Sequence, residues 1–304
     1  MDLSIVICTY RRYGALERAV AGVLADSTYN PADMELIVVD NSPEPERQSF
    51  KLAEQAHVVP CNNVGLSNAR NQGISSARGD IIAFIDDDAI VRDTWCAAVL
   101  NAFRRLPGAE ACGGRTVPLY SSPSRPVWYY EELASYLSCI DWGPRARPIG
   151  RGEWIVGANM AFRKRVFSAA LLFDPSLGRK GVASLLSNEE VALFDRIGRA
   201  KVYYVPEMCV EHMIPDDRLT LEWFRKRVFW QAVSDSLSDS IHESPARAWS
   251  ELFEIVSRAP AEIRGHRLFS YQPDSPKAFK DQLRALYLHS ILLAGGNKAP
   301  PVAI

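Results

Sequence analysis

Residues 81–89 read Ile-Ile-Ala-Phe-Ile-Asp-Asp-Asp-Ala, five apolar residues running straight into three carboxylates. No other stretch constrains the chain as strongly. A short continuous apolar run is the pattern of a strand buried on both faces, as in parallel sheets. The acids that follow cannot share that burial, because an unpaired carboxylate in a core costs too much. Asp86, Asp87 and Asp88 therefore lie at a strand's carboxyl end, meeting water, a cation or a ligand. In an α/β sheet that edge is where ligands bind, and clustered hard oxygen donors there suit Mg2+ or Mn2+ held against a phosphate. Taken alone, the three acids are explained equally well by a solvated turn.

The neighbouring segments repeat the pattern. Residues 3–8 form a β-rich apolar run followed by Thr9, Tyr10, Arg11 and Arg12, and Leu16, Ala19, Val20, Val23 and Leu24 then keep helical spacing. Residues 34–39 form a second apolar strand ending in Asp40. Val58 and Val59 mark a short third strand, residues 62–65 a turn, and residues 66–77 an amphipathic helix with Arg70 off the centre of its apolar stripe. Gly79 is placed to end that helix as a left-handed cap. Successive βα units predict a parallel, doubly wound sheet. Tyr10, Asp40 and residues 86–88 then converge on one rim, which is far less probable by chance than any one of them.

Further along, residues 95–106 read as a helix and residues 111–117 as a strand. Residues 120–152 lose periodicity but carry Trp128, Tyr129, Tyr130 and Trp142, so a long ordered excursion is expected, its aromatic faces either stacking on a sugar ring or covering the sheet edge. Residues 153–164 read as a strand, a glycine turn that lets backbone approach a ligand, and a strand entering a helix. Asn188 is a good N-cap, and Glu189 and Glu190 open the next helix. One of these acids suits the helix dipole, and the other, on a different face, is free to be a general base. A late strand over residues 200–206 leads to His212, whereas His57, His242, His266 and His289 suggest no role.

The C-terminal part reads as helical. Residues 219–237 mix basic and aromatic residues, including Trp223, Lys226, Phe229 and Trp230, and residues 278–293 form a second amphipathic helix before a loose tail. Packing back on the domain is the favoured reading of residues 219–237, and peripheral membrane contact is the other. The 304 residues suffice for one large or two modest domains, and a net charge of −1 gives no field favouring nucleic acid. Six scattered cysteines without a C-x-x-C pair argue against a zinc site or disulfide framework and for a reducing cytoplasm. The N-terminus lacks signal-peptide character, so a cytoplasmic protein, peripheral at most at the inner membrane face, is expected.

Seven elements now stand in one order: Ser4-Ile5-Val6-Ile7-Cys8-Thr9-Tyr10-Arg11-Arg12; Leu36-Ile37-Val38-Val39-Asp40-Asn41; Asn63-Val64-Gly65-Leu66-Ser67-Asn68-Ala69-Arg70-Asn71; Gly79-Asp80 with Phe84-Ile85-Asp86-Asp87-Asp88; Gly157-Ala158-Asn159; Asn188-Glu189-Glu190; and Val210-Glu211-His212. In this order the chain resembles the family 2 glycosyltransferases, inverting enzymes of GT-A fold that use nucleotide-diphosphate sugars. The resemblance covers roughly residues 3–214. It implies a Rossmann-like, mostly parallel sheet flanked by helices, with a C-terminal helical extension. The expected divisions are a nucleotide-sugar half over residues 1–110, an acceptor and catalytic half over 111–215, and the extension over 216–304.

The resemblance also implies roles. Thr9, Tyr10, Arg11, Asp40, Asn63 and Arg70 would cradle the donor, with Asp40 accepting from a pyrimidine ring N–H. Asp86, Asp87 and Asp88 match the D-x-D motif, Asp86 and Asp87 on the donor side and Asp88 on a metal, Mn2+ or Mg2+, whose shell His212 completes. Trp154, Gly157, Ala158 and Asn159 would face the acceptor. Glu190, or else Glu189, would be the catalytic base, where the family usually has Glu-Asp. The family's common Asn after Tyr is Arg11 here. The expected activity is transfer from a UDP- or dTDP-sugar to a hydroxyl of a carbohydrate, lipid-linked or small-molecule acceptor. A sugar-phosphate nucleotidyltransferase would need a glycine-rich basic loop that residues 9–13 do not provide. A non-catalytic nucleotide-sugar-binding protein would be expected to lose the acids kept here.

Overall fold

The computed structural model describes residues 1–181, 184–238, 240–241 and 243–296. His242 and most of the expected loose tail lie outside the described residues. Two compact units emerge. The first comprises Met1–Leu119, Ser138–Ala183 and Glu189–Met213, and the second Tyr120–Leu137, Ser184–Asn188 and Ile214–Ile304.

Strands β1 (Leu3–Thr9), β2 (Met34–Asp40), β3 (His57–Pro60), β4 (Ile81–Asp86), β5 (Ala89–Val91), β6 (Ala111–Gly113), β7 (Thr116–Tyr120), β8 (Arg147–Pro148), β9 (Asn159–Arg163), β10 (Val202–Tyr204) and β11 (Val210–Ile214) alternate with helices α1 (Tyr13–Ala25), α2 (Leu66–Ser76), α3 (Trp95–Arg105) and α4 (Glu189–Ile197). The main sheet has the order β3-β2-β1-β4-β9-β6-β10-β8. Within it β8 and β9 run against the other six strands. The sheet is mostly parallel, as expected, but the antiparallel β9 at its centre is not legible in an apolar run, which fixes burial and not direction.

Period-two alternation gives the sheet two buried faces. Leu3, Ile5, Ile7, Leu36 and Val38 pack with Leu16, Val20 and Val23 of α1 and with Trp95, Val99 and Phe103 of α3. Val6, Ile37 and Val39 face the other way, toward Ala69 and Ile74 of α2 and Leu193 and Phe194 of α4. The result is a helix–sheet–helix sandwich with β4 buried from Ile81 to Ile85.

Several local expectations change. Gly79 is not a left-handed cap: α2 closes through extended Ala77. A Cβ at Gly79 would lie 2.6 Å from the Ser4 backbone nitrogen, so close strand approach is what demands glycine. The strand expected over residues 111–117 splits into β6 and β7, which join different sheets. Residues 153–156 form no strand, and β9 ends in a single 3-10 turn, Lys164–Val166, rather than a helix.

The second unit contains α5 (Leu221–Leu237), α6 (Pro245–Arg258) and α7 (Pro276–Gly296). Thr220 caps α5 by accepting from the Trp223 N–H at 3.2 Å. Phe224 and Val228 are buried, and Trp128 packs edge-on against Phe224 and Phe279. Arg225 is committed internally, donating to Tyr271 O and Gln282 Oε1. Residues 221–237 thus pack within their own unit, with Arg225 engaged there rather than solvated. Among the described residues no helix is long and apolar enough to cross a membrane.

Candidate active site

Strand register assembles the rim. Thr9 pairs with Asp40 and Cys8 with Asp86, so the carboxyl ends of β2, β1 and β4 lie side by side. The chain then turns through Asp87 and Asp88, which are only 4% and 3% exposed. Neither is left alone. Thr9 Oγ1 donates to Asp87 Oδ2 at 2.7 Å. Arg12 forks across the pair, Nη1 to Asp87 Oδ1 at 2.8 Å and Nη2 to Asp88 Oδ2 at 2.7 Å. Burial pushes the Asp87 carboxyl up to about 7, Arg12 opposing and Asp88 adding to it.

The small sheet β5-β11-β7 brings in His212. His212 is within β11, opposite Ala89 of antiparallel β5, rather than just past a strand of the main sheet. Met213 N–H donates to Asp88 O at 2.8 Å, and His212 Nε2 lies 3.0 Å from Asp88 Oδ1. Burial alone would push the imidazole down. The Asp88 carboxylate outweighs it by charge and hydrogen bond, lifting His212 to about 10. One ligand atom each from Asp86, Asp88 and His212 lies within 4.8 Å of the others. Two carboxylates and an imidazole fit a divalent cation of the Mn2+ or Mg2+ kind.

Arg70 organises the opposite wall. Its fully buried guanidinium donates to Glu189 Oε1 at 2.6 Å, reaches Asp86 Oδ1 at 3.3 Å and lies 5.4 Å from the Phe173 ring centroid. Glu189 is thus the partner of a buried cation. Glu190 makes no such pair, and its Oε2 is buried with no hydrogen-bond partner among the described residues. Burial first, then the charge of Glu189, pushes Glu190 up to about 8 against the pull of Arg70. The two acids that sequence could not separate differ in the Arg70 pairing of Glu189 Oε1, although Glu189 Oε2 too is buried with no hydrogen-bond partner among the described residues. Asn188 does not cap α4. Its backbone is left-handed (φ 74°) and its side chain donates to Asp235 and Ser238 instead.

The residues expected to cradle a base are more enclosed than sequence implies. Asp40 accepts from Tyr13 OH (2.8 Å) and from the Ser42 N–H (2.9 Å) and is 5% exposed. Tyr10 is half-buried at the end of β1, with the Arg11 guanidinium 5.0 Å from its ring centroid, and Arg11 is paired with Glu46. Asn63 is exposed, and its carbonyl accepts from Asn41 Nδ2 at 2.8 Å.

The acceptor-side residues are placed inward. Asn159 is wholly buried, its amide donating to Arg115 O and Met208 O and accepting from Trp95 Nε1. That corrects its expected exposure to an acceptor. Gly157 and Ala158 are buried too. A Cβ at Gly157 would stand 2.2 Å from Arg70 Nη2, so the close approach is to Arg70 rather than directly to a ligand. Trp154 is half-buried against Trp142, which donates its Nε1–H to Trp154 O. Arg12, Tyr13, Ser42 and Phe173 received no role from sequence. Arg12 stood beside a recognised motif, but partners 75 and 76 residues away leave no local trace.

A helix-flanked, mostly parallel sheet with an acidic rim at its strands' carboxyl ends defines the class: an α/β protein with a candidate cation site. Comparisons narrow it. The sequence model described as "Glycosyl transferase family 2" matches residues 4–138. A glucosyl-dolichyl phosphate glucuronosyltransferase of Haloferax volcanii is 29% identical over 250 residues, covering 80% of this chain and 79% of that protein. The succinoglycan biosynthesis protein ExoM of Rhizobium meliloti is 27% identical over 240 residues, covering 75% and 72%. Among solved structures, a mannosyltransferase from Pyrobaculum calidifontis in complex with GDP-Man and Mn2+ aligns with a TM-score of 0.57 at 15% identity, covering 97% of this chain and 88% of that one. At that identity the likeness speaks for the fold alone. Over residues 4–138 the chain carries the family 2 glycosyltransferase sequence pattern, and its fold is that of the GT-A enzymes.

Proposed function

We propose that the protein is an inverting glycosyltransferase that moves a sugar from a UDP- or dTDP-sugar to a hydroxyl acceptor. The observation that carries this is the meeting of Asp86, Asp88 and His212 at one rim, with a half-buried Glu190 whose Oε2 has no hydrogen-bond partner among the described residues. An acceptor hydroxyl must lose a proton as it attacks the anomeric carbon, and Glu190 is the base suited to take it. Direct displacement inverts the anomeric centre. A divalent cation held by Asp86, Asp88 and His212 would offset the charge developing on the departing diphosphate. Arg70 ties Glu189 and Asp86 to one buried guanidinium. Tyr10 offers a face for the base, and Asp40 its carboxylate to a ring N–H. Thr9, Arg11, Asn63 and Asp87 complete the donor wall, and Trp154 lies toward the acceptor side.

The acceptor we favour is a lipid-linked or nascent glycan, supported by the dolichyl-phosphate sugar named for the Haloferax relative and the polysaccharide named for ExoM. Membrane contact through residues 219–237 has less support, because α5 spends much of its apolar and basic surface within its own unit. The test is calorimetric binding of UDP, dTDP, GDP and CDP, each with and without Mn2+. Mn2+-dependent binding of UDP or dTDP, lost in Asp88→Ala, is expected. Binding of GDP alone would replace the pyrimidine reading. Binding of none would leave a fold without the donor site.

A further inference from the structure

Arg12 is the N-cap residue of α1 and lies one position beyond the residues given a donor role above. Its guanidinium donates to Asp87 Oδ1 and Asp88 Oδ2, while Thr9 and His212 meet the other oxygen of each carboxylate. Every carboxylate oxygen of the pair thus has a polar partner. Two adjacent aspartates buried to this degree cannot both stay ionised without a cation between them. A planar fork answers two carboxylates at once, which a single ammonium cannot do.

Asp88 is also one of the three residues able to hold a divalent ion. It is therefore claimed by two cations. A doubly charged ion at Asp88 repels the guanidinium beside it, so Asp88 serves the ion best once Arg12 has withdrawn from it. Arg12 is built to move: its side chain is 37% exposed, whereas Arg70 is sealed in by Glu189. An arginine leaving this rim needs another anion, and a diphosphate presents oxygens matched to its fork.

We propose that Arg12 is an internal counter-cation, holding the Asp87–Asp88 pair when no divalent ion is bound and yielding Asp88 when a nucleotide diphosphate arrives to take the guanidinium. The proposal rests on the donor-site reading above. Its consequence is positive, reciprocal coupling between ion and nucleotide.

The experiment is Mn2+ binding by the full-length protein, followed by electron paramagnetic resonance of the free ion. It is run without nucleotide, with UDP and with GDP, for the wild type, Arg12→Met and Arg12→Lys. Circular dichroism confirms folding. The wild type is expected to bind Mn2+ weakly alone and on the order of tenfold more tightly with UDP. Arg12→Met is expected to bind Mn2+ alone about tenfold more tightly than the wild type and to lose most of the UDP effect. Arg12→Lys, with one point charge for two carboxylates, falls between them, and it decides the matter should Arg12→Met fail to fold. A folded variant with wild-type Mn2+ affinity and undiminished coupling overturns the Arg12 assignment while leaving the donor site intact. A wild type whose Mn2+ affinity responds to neither nucleotide overturns both.

Discussion

At the scale of single residues, adjacent glutamates of identical chemistry have different work. Glu189 is the closer of two carboxylates on buried Arg70, so Glu189→Gln leaves the guanidinium only Asp86 and should cost about 1.5–3 kcal/mol of stability, read as a lowered denaturant midpoint. Glu190→Gln should leave donor binding near normal and lower kcat by about 10²–10⁴-fold. The pH dependence follows from the upward push on Glu190 to about 8. A carboxyl raised this far is protonated, and idle as a base, at neutral pH, so kcat/KM should climb with pH and level off above about 8. The stability sign is opposite. The folded state binds this proton more tightly than the unfolded chain, so Glu190 costs stability progressively from its ordinary value near 4.5 up to about 8. Glu190→Gln should therefore stabilise the protein at pH 9 and have little effect at pH 4. A kcat/KM profile flat from pH 6 to 9 would remove Glu190 as the base. Arg11 is a second case, with a left-handed backbone (φ 61°) and a half-exposed ion pair to Glu46. Asn tolerates that backbone better than Arg, and an exposed pair contributes little. Arg11→Asn should raise stability by about 0.5–1 kcal/mol, visible as roughly 2 °C in Tm.

At the scale of elements, sequence showed where the strands end but not what holds their ends together. Apolar runs terminating at Thr9, Asp40 and Asp86 located the rim, because burial and its abrupt loss are written locally. The fork of Arg12, the Tyr13–Asp40 bond and the antiparallel β5–β11 pairing that delivers His212 depend on partners 27 to about 120 residues apart, which no local pattern encodes. Glycine shows the same divide. Gly79 and Gly157 look alike in sequence, yet the first lets α2 lead into β4 beside β1 and the second clears space for Arg70. Gly79→Ala drives a methyl against the Ser4 backbone and should cost about 1–3 kcal/mol while leaving nucleotide affinity unchanged in the folded fraction. Gly157→Ala meets the far end of the Arg70 side chain rather than backbone. It should cost less stability but displace Arg70 from Asp86 and Glu189, weakening UDP affinity about tenfold by the usual scale of a lost charged contact. Equal losses of stability and affinity in the two variants would count against this division.

At the scale of the molecule, the two units carry separate cores. The first closes around both faces of the main sheet, while Ala232, Leu252, Ile255, Ala285 and Leu288 close the second. A unit with its own core is expected to unfold as its own cooperative step. In the second unit one carboxylate gathers much of the polar bonding. Asp235 accepts from Asn188 Nδ2, Gln231 Nε2 and Tyr287 OH, each at 2.7 Å. Asp235→Ala leaves those donors without their acceptor, a cost of about 1–3 kcal/mol for each that stays dry. Ligand works on the other core: UDP with Mn2+ at a hundred times its Kd adds about 2.7 kcal/mol to whichever unit binds it. Differential scanning calorimetry should thus show Asp235→Ala lowering one transition and UDP with Mn2+ raising the other. The ligand shift should disappear in Asp88→Ala, because the candidate cation site lies entirely within the first unit. A single transition moved in full by both changes would mean that the two cores melt as one, and that a substitution far from the rim in sequence, such as Asp235→Ala, reaches the donor site through global stability.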